Sequence, residues 1–165
     1  MFVAALFVMS LGIALVTRGN LGTTPISSLP LVSSYASSLT FGETTFLINL
    51  LFVAAQWVLL RRSINKVLLL AQIPITLAFS YFIDTSMKFT EFLSSDVYWK
   101  CLAVSMLGNM VLGLGVALEV FSGAAALPGE GLVLAVSTVL HKPFSSVKIA
   151  NDVILVLLAL LLSYF

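Results

Sequence analysis

Glu130 stands in the run Leu127-Pro128-Gly129-Glu130-Gly131, a polar break inside an otherwise apolar stretch. A carboxylate at membrane depth costs roughly 2.5–3.5 kcal/mol on insertion scales, so its presence asks for a reason. Proline is tolerated in the first turn of a helix, and the helix dipole favours an acid there. Glu130 therefore either caps its own helix at an interface or serves as a cation, proton or substrate site. Asp152 follows Lys148 by four residues, so the two can meet on one helix face. They form an interfacial ion pair, or Asp152 lines a polar path. Asn49 lies 103 residues before Asp152, inside its own apolar stretch. Thr24 and Ser27 flank Pro25 in a crowd of hydroxyls that also holds Thr23 and Ser28. Such groups re-satisfy local backbone, or they present donors and free amides to a ligand at a helix start. The candidate ion- or substrate-binding set is thus Glu130, Asp152, Asn49, Thr24 and Ser27. Pro25, Pro128, Gly129 and Gly131 are the candidate helix breaks.

Other polar residues point to packing. Glu119 falls at the end of an apolar run and reads as a boundary residue. Gln56, Gln72 and Asn109 are single amides of the kind that join helices in lipid, and Gly108, Gly113 and Gly115 suit close helix contact. Ser122 with His141 is too sparse a pair for an intramembrane protease. Gly-rich phosphate loops, H-E-x-x-H and C-x-x-C are missing from the sequence. A lone Cys101 and a lone His141 make no metal cluster of recognisable spacing. The expectation is no enzyme, no cofactor and no metal.

The elements that must position these residues are apolar helices. Hydrophobic residues make up 60% of the chain and charged ones 9%, with a mean hydropathy of +1.13. That composition belongs to an all-α integral membrane protein whose main partner is the lipid bilayer. Eight Lys and Arg against seven Asp and Glu exclude a nucleic-acid surface. Apolar segments run Phe2–Thr17, Leu21–Leu39, Thr44–Leu60, Val67–Ile83, Trp99–Val120, Ala124–Leu140 and Ile149–Phe165. Each comes near the length that crosses a core of ~30 Å. About seven (six to seven) transmembrane helices are therefore expected. The second and sixth segments carry the prolines, so they should face protein or a cavity rather than lipid.

A constant offset of 103 residues matches Leu11, Gly12, Ala14, Leu15, Pro25, Leu29, Leu31, Ser34 and Phe41 with identical residues and sets Asn49 opposite Asp152. We read two three-helix repeats, residues 1–62 and 99–165, joined by a linker helix and external loop over 63–98. Interrupted helices in duplicated halves are a common transporter plan. Arg61, Arg62 and Lys66 form the dense basic loop, which the positive-inside rule puts in the cytoplasm. If all seven segments cross, the N-terminus lies outside, the C-terminus inside, the loop from Asp84 to Lys100 outside, and the repeats are parallel. If the proline segments are re-entrant, the repeats are inverted. The side assigned to Arg18 favours the parallel arrangement. No cleavable signal peptide is evident, and both ends fall in apolar sequence, as in a trimmed chain.

The run L-G-I-A-L-V-T-R-G-N-L-G-T-T-P-I-S-S-L, then Phe41-Gly42-Glu43-Thr44-Thr45, the basic loop, and Tyr81-Phe82-Ile83-Asp84 resemble the YitT/YczE family of bacterial inner-membrane proteins. G-L-G-V-A-L-E-V and L-P-G-E-G-L-V-L-A-V-S in the second half extend the resemblance from about Leu11 to about Leu161. It implies a multi-pass protein of the bacterial inner membrane and names no substrate. Many relatives carry an aromatic-acidic pair after the first-half proline, whereas Ile26-Ser27-Ser28 follows Pro25 here. Glu130 would then be the acidic member of the site. The functional expectation is a small secondary transporter or permease for a small solute or ion, with a homodimer left open. The rival is a non-transporting accessory or scaffold protein that binds a partner enzyme or transporter, with a packed, dry interior.

Overall fold

Proline and threonine set the helix starts. The computed structural model of the chain describes residues 1–60, 66–95, 97–123 and 127–164, with side chains at all of these except 66–68. Arg61 and Arg62 of the basic loop, Asp96, Ala124 and Phe165 lie outside the described residues, and Lys66 is described by its backbone alone. Seven α-helices are present among the described residues: α1 Phe2–Arg18, α2 Pro25–Ala36, α3 Phe41–Leu59, α4 Lys66–Phe89, α5 Tyr98–Ser122, α6 Pro128–Leu140 and α7 Phe144–Tyr164. Both α2 and α6 begin on a proline in the first turn, with no side chain capping either start. α3 begins at a capping box: Glu43 N–H donates to Thr40 Oγ1, and Thr40 N–H donates to Glu43 Oε2 at 2.8 Å.

Two expected spans shrink. The stretch Leu21–Leu39 yields a helix of 12 residues, and the stretch from Ala124 to Leu140 yields one of 13. At ~1.5 Å per residue these reach ~18–20 Å, well short of a ~30 Å core. Apolar composition alone counted the non-helical Leu21–Thr24 as span. The acidic loop also starts later than expected: α4 runs on to Phe89, so Asp84 and Lys88 are helical.

Close contacts fix the helix directions. A Cβ added to Gly12 would lie 2.5 Å from Leu112 N, one on Gly108 2.6 Å from Val16 N, and one on Gly115 2.7 Å from Met9 N. Rising numbers on α1 meet falling numbers on α5, so the two are antiparallel, with backbones in contact as small residues allow. α1 and α4 run the same way: Phe7 meets Phe82 edge to face at 5.7 Å, Ser10 meets Ser86 at 3.3 Å, and Arg18 donates to Met87 O at 2.9 Å. α3 runs against α4, since Gly42 lies on Ser80 and Asp84 while Gln56 meets Gln72. Asp84 ties that end, accepting from Gly42 N–H at 2.7 Å and from Thr40 Oγ1 at 2.6 Å.

It follows that α1 ends and α3 begins at one end of the bundle, beside the last turns of α4. We call this the upper end. The segment between them goes inward and comes back. Ile26 lies under Gly129 near Phe52, deep along α3, whereas Pro30 O accepts from Thr44 Oγ1 at 2.9 Å, near the start of α3. Leu162 near the end of α7 shares a surface recess with Ser33 and Ser37, which places that end at the top. α5 therefore ends, and α7 begins, at the lower end.

The core gathers Leu6, Met9 and Ile13 of α1 with Phe41, Phe79, Ile83 and Leu127. Among the described residues three helices, α3, α5 and α7, are long and apolar enough to cross a membrane. Only 17% of the apolar window of α5, and the same share of α7, is buried inside the protein. Met106, Met110 and Leu114 on α5, and Ile154, Leu157 and Leu161 on α7, stand exposed. So large an apolar surface suits lipid as its solvent.

Candidate functional site

Halfway along α1, the starts of α2 and α6 meet. Gly129, in the first turn of α6, makes that meeting close: a Cβ there would overlap the end of the Ile26 side chain. Around this junction lies a cavity of about 210 Å³, walled by Met9 and Ile13 of α1, Phe79 and Ile83 of α4, Leu112 and Val116 of α5, and Ile48 and Phe52 of α3. Its polar lining is Thr24 and Ser27 at the start of α2, Thr45 and Asn49 on α3, Glu130 on α6 and Lys148 on α7.

Each polar group is held differently. Thr24 Oγ1 donates to Ser27 Oγ at 2.9 Å, and Thr45 Oγ1 donates to Phe41 O at 2.7 Å within its own helix. Lys148 Nζ pairs with Asp152 Oδ1 at 2.7 Å, one turn along α7. Asp152 itself stands outside the lining, so it orients the lysine rather than facing the void. Asn49 is 9% exposed, and its amide has no hydrogen-bond partner among the described residues. Glu130 is half-buried, likewise unpartnered among the described residues, and lies in the first turn of α6. Neither group is sealed from solvent as the Glu119 carboxylate is; both open onto the cavity.

The junction is braced from below. Gln56 Nε2 donates to Pro128 O at 3.0 Å and to Gln72 Oε1 at 3.2 Å, joining α3, α4 and the start of α6. Gly131 leaves room for that amide, because a Cβ there would lie 2.7 Å from Gln56 Oε1. Gly129 and Gly131 are thus close-packing positions within the first turn of α6, and the helix break lies before Pro128.

Several residues fall differently from their sequence reading. Glu119, expected at a boundary, is 5% exposed, and both its carboxylate oxygens are buried without a hydrogen-bond partner among the described residues. Its surroundings include Glu130 and the Leu127 amide. Thr45 and Lys148 join the lining without having been candidates. Asn109 donates to Ser105 O on its own exposed face and bonds no other helix among the described residues. Gly113 faces open space, unlike Gly108 and Gly115.

One spacing signal could have found the missed pair. Ser27 and Glu130, and Thr45 and Lys148, are each 103 apart, as are Asn49 and Asp152. The offset that linked Asn49 to Asp152 also leads to Thr45 and Lys148, one turn earlier on each helix.

The chain belongs to a family described as a family of unknown function (DUF6198), whose model matches residues 1–165. That match covers the whole chain and does not carry the YitT/YczE name. No curated protein matches the chain, and neither does any solved structure.

Proposed function

We propose that the protein is a small secondary transporter or permease, built from two inverted halves, that binds its solute where α2 and α6 meet. The observation that carries this reading is the cavity itself: a void at mid-bundle lined by an unpartnered carboxylate and an unpartnered buried amide. A scaffold protein would gain nothing from such groups and would fill the void with side chains, so the cavity weighs against the accessory reading.

The architecture supports the same view. α1 and α5 cross antiparallel, and Gly12 on Leu112 corresponds through the offset of 103 to Gly115 on Met9. An axis that swaps these contacts also swaps the starts of α2 and α6. In this reading α1, α3, α4, α5 and α7 cross, while α2 and α6 are half-helices entered from opposite sides. The lower end, where α3 stops and α4 starts, is then cytoplasmic, since the sequence joining the two helices carries Arg61 and Arg62 and Lys142 follows α6. The N-terminus lies inside and the C-terminus outside, the reverse of what seven crossings would give.

Two experiments test the reading. Single cysteines at Leu21 and Ser38, in a Cys101→Ser background, should react with an impermeant maleimide from the same side of the membrane. Cysteines at Phe121 and Lys142 should react from the other side. Seven crossings would split each pair. For function, proteoliposomes are screened with a panel of small solutes and ions beside protein-free liposomes. Uptake above the protein-free level, lost in Glu130→Gln, is expected. A panel that enters no faster than into empty liposomes would return the weight to the scaffold.

A further inference from the structure

We infer that the ligand is a small zwitterion, its ammonium on Glu130 and its carboxylate at the start of α2, with a short aliphatic body against the apolar walls. This rests on the permease reading and names its substrate class. The two helix starts that meet at the cavity differ in one respect. α6 carries Glu130 at its third helical position, where the acid offsets the partial positive charge of the helix end. α2 carries the neutral Ser27 at the equivalent place, so its free N–H groups and its dipole remain uncompensated. Neither start has a side-chain cap.

The second observation is independent of the helix ends. Asn49 lines the cavity, is more than nine-tenths buried, and has an amide with no partner among the described residues. It supplies a donor and an acceptor on the same wall as α2. Lys148 adds positive charge, although Asp152 holds it in a 2.7 Å pair and neutralises most of it. What stays unanswered in the cavity is therefore one carboxylate, Glu130, and one electropositive corner formed by the α2 start, Asn49 and the spare N–H groups of Lys148.

The contact of Gly129 with Ile26 keeps these two corners within one small molecule's reach. An anion alone would add negative charge beside an unpaired Glu130. A cation alone would leave the α2 donors and Asn49 dry. A neutral polar solute would leave Glu130 without a counter-charge in an apolar surround, which is the costly arrangement. One molecule bearing both charges answers all of these together. The walls of Ile26, Phe52, Phe79 and Leu112 suit an aliphatic remainder.

The test measures binding to the full chain in detergent, by thermal shift and calorimetry, with matched probes. Valine is compared with isovalerate, which lacks the ammonium, and with isobutylamine, which lacks the carboxylate. Alanine, propionate and ethylamine form a smaller set. The zwitterions should bind, with each half-molecule about tenfold weaker or more, since each loses a charge-assisted contact. Glu130→Gln should weaken the zwitterion and leave the carboxylate probe little changed. Asn49→Leu should weaken both. The matched probes on wild type decide the matter even where a variant fails to fold. A carboxylate or an amine that binds as well as its zwitterion overturns this inference while the permease reading stands. Binding by none of the probes overturns it as well, and the uptake panel then says whether the permease reading falls with it.

Discussion

The two walls of the cavity share a scaffold and differ in charge. On one side Ser27, Thr45 and Asn49 are neutral; at the same offset on the other side stand Glu130 and Lys148, with Asp152 behind Lys148 and outside the lining. The starts of α2 and α6, and of α3 and α7, agree to the residue, with Pro25 matched by Pro128 and Phe41 by Phe144, whereas α1 and α5 start at Phe2 and Tyr98, outside that offset. Two helix starts are therefore spaced alike on both sides, while the ionisable groups of the lining are confined to the second. An apolar bundle bears few charges because each costs roughly 2.5–3.5 kcal/mol at depth. Concentrating them lets Lys148 and Asp152 neutralise one another and leaves Glu130 as the unpaired charge of the lining. The neutral wall keeps donors that cost little to hold in lipid. In the proposed site this gives a direction, a negative corner facing an electropositive one.

The scaffold half of that comparison is the easiest to break. Gly12→Ala and Gly115→Ala each push a methyl into backbone of the other helix. Each should cost about 3 kcal/mol of stability, the upper range of overpacking, while Gly113→Ala should be nearly silent. Thermal unfolding in detergent reads all three. Markedly unequal losses at Gly12 and Gly115 would count against an axis relating the halves. The chemical half of the comparison is tested by moving a charge. Asn49→Asp copies the second wall onto the first without its lysine, and should cost about 2.5–3.5 kcal/mol. A variant as stable as wild type would mean that the first wall already has a counter-charge. Gln56→Leu leaves Pro128 O and Gln72 unanswered and should cost about 2 kcal/mol, with the start of α6 loosened. If amide exchange around Glu130 stays unchanged in that variant, the brace is not what holds the half-helix.

Much of this was legible in the chain, and the rest was hidden for physical reasons. Pro25 and Pro128 announce helix starts because proline lacks an N–H and fits a first turn. Glu130 and Asn49 stand out because polar groups in apolar sequence are costly. Leu21–Thr24 did not stand out, because an extended apolar stretch and an apolar helix have the same composition. α2 and α6, of 12 and 13 residues, thus read as longer helices, and Arg18 was left to decide the crossing number. In the fold Arg18 bonds the end of α4, a contact that no periodicity reveals. Glu119 was read from its place near a helix end, but burial depends on what packs there, and that is a tertiary fact. Gly12 gave its identity in the repeat and withheld its partner, since Leu112 is a hundred residues away.

The smallest expected effect separates two roles for Lys148. Its pair with Asp152 is partly open, with side chains 31% and 25% exposed, so Asp152→Asn should cost only about 0.5–1 kcal/mol. Binding should change more than stability does. Without Asp152 the ammonium is free to turn toward Glu130, which lies in the same lining. A paired Glu130 would then accept the ligand's ammonium less well. Zwitterion affinity should fall several-fold while the carboxylate probe holds or improves. In a Glu130→Gln background, adding Asp152→Asn should make no further difference to the zwitterion. If Asp152→Asn instead tightens the zwitterion, Lys148 is itself the main anchor of the ligand's carboxylate. The electropositive corner would then belong to the charged wall as well, and the neutral wall would be left with shape alone.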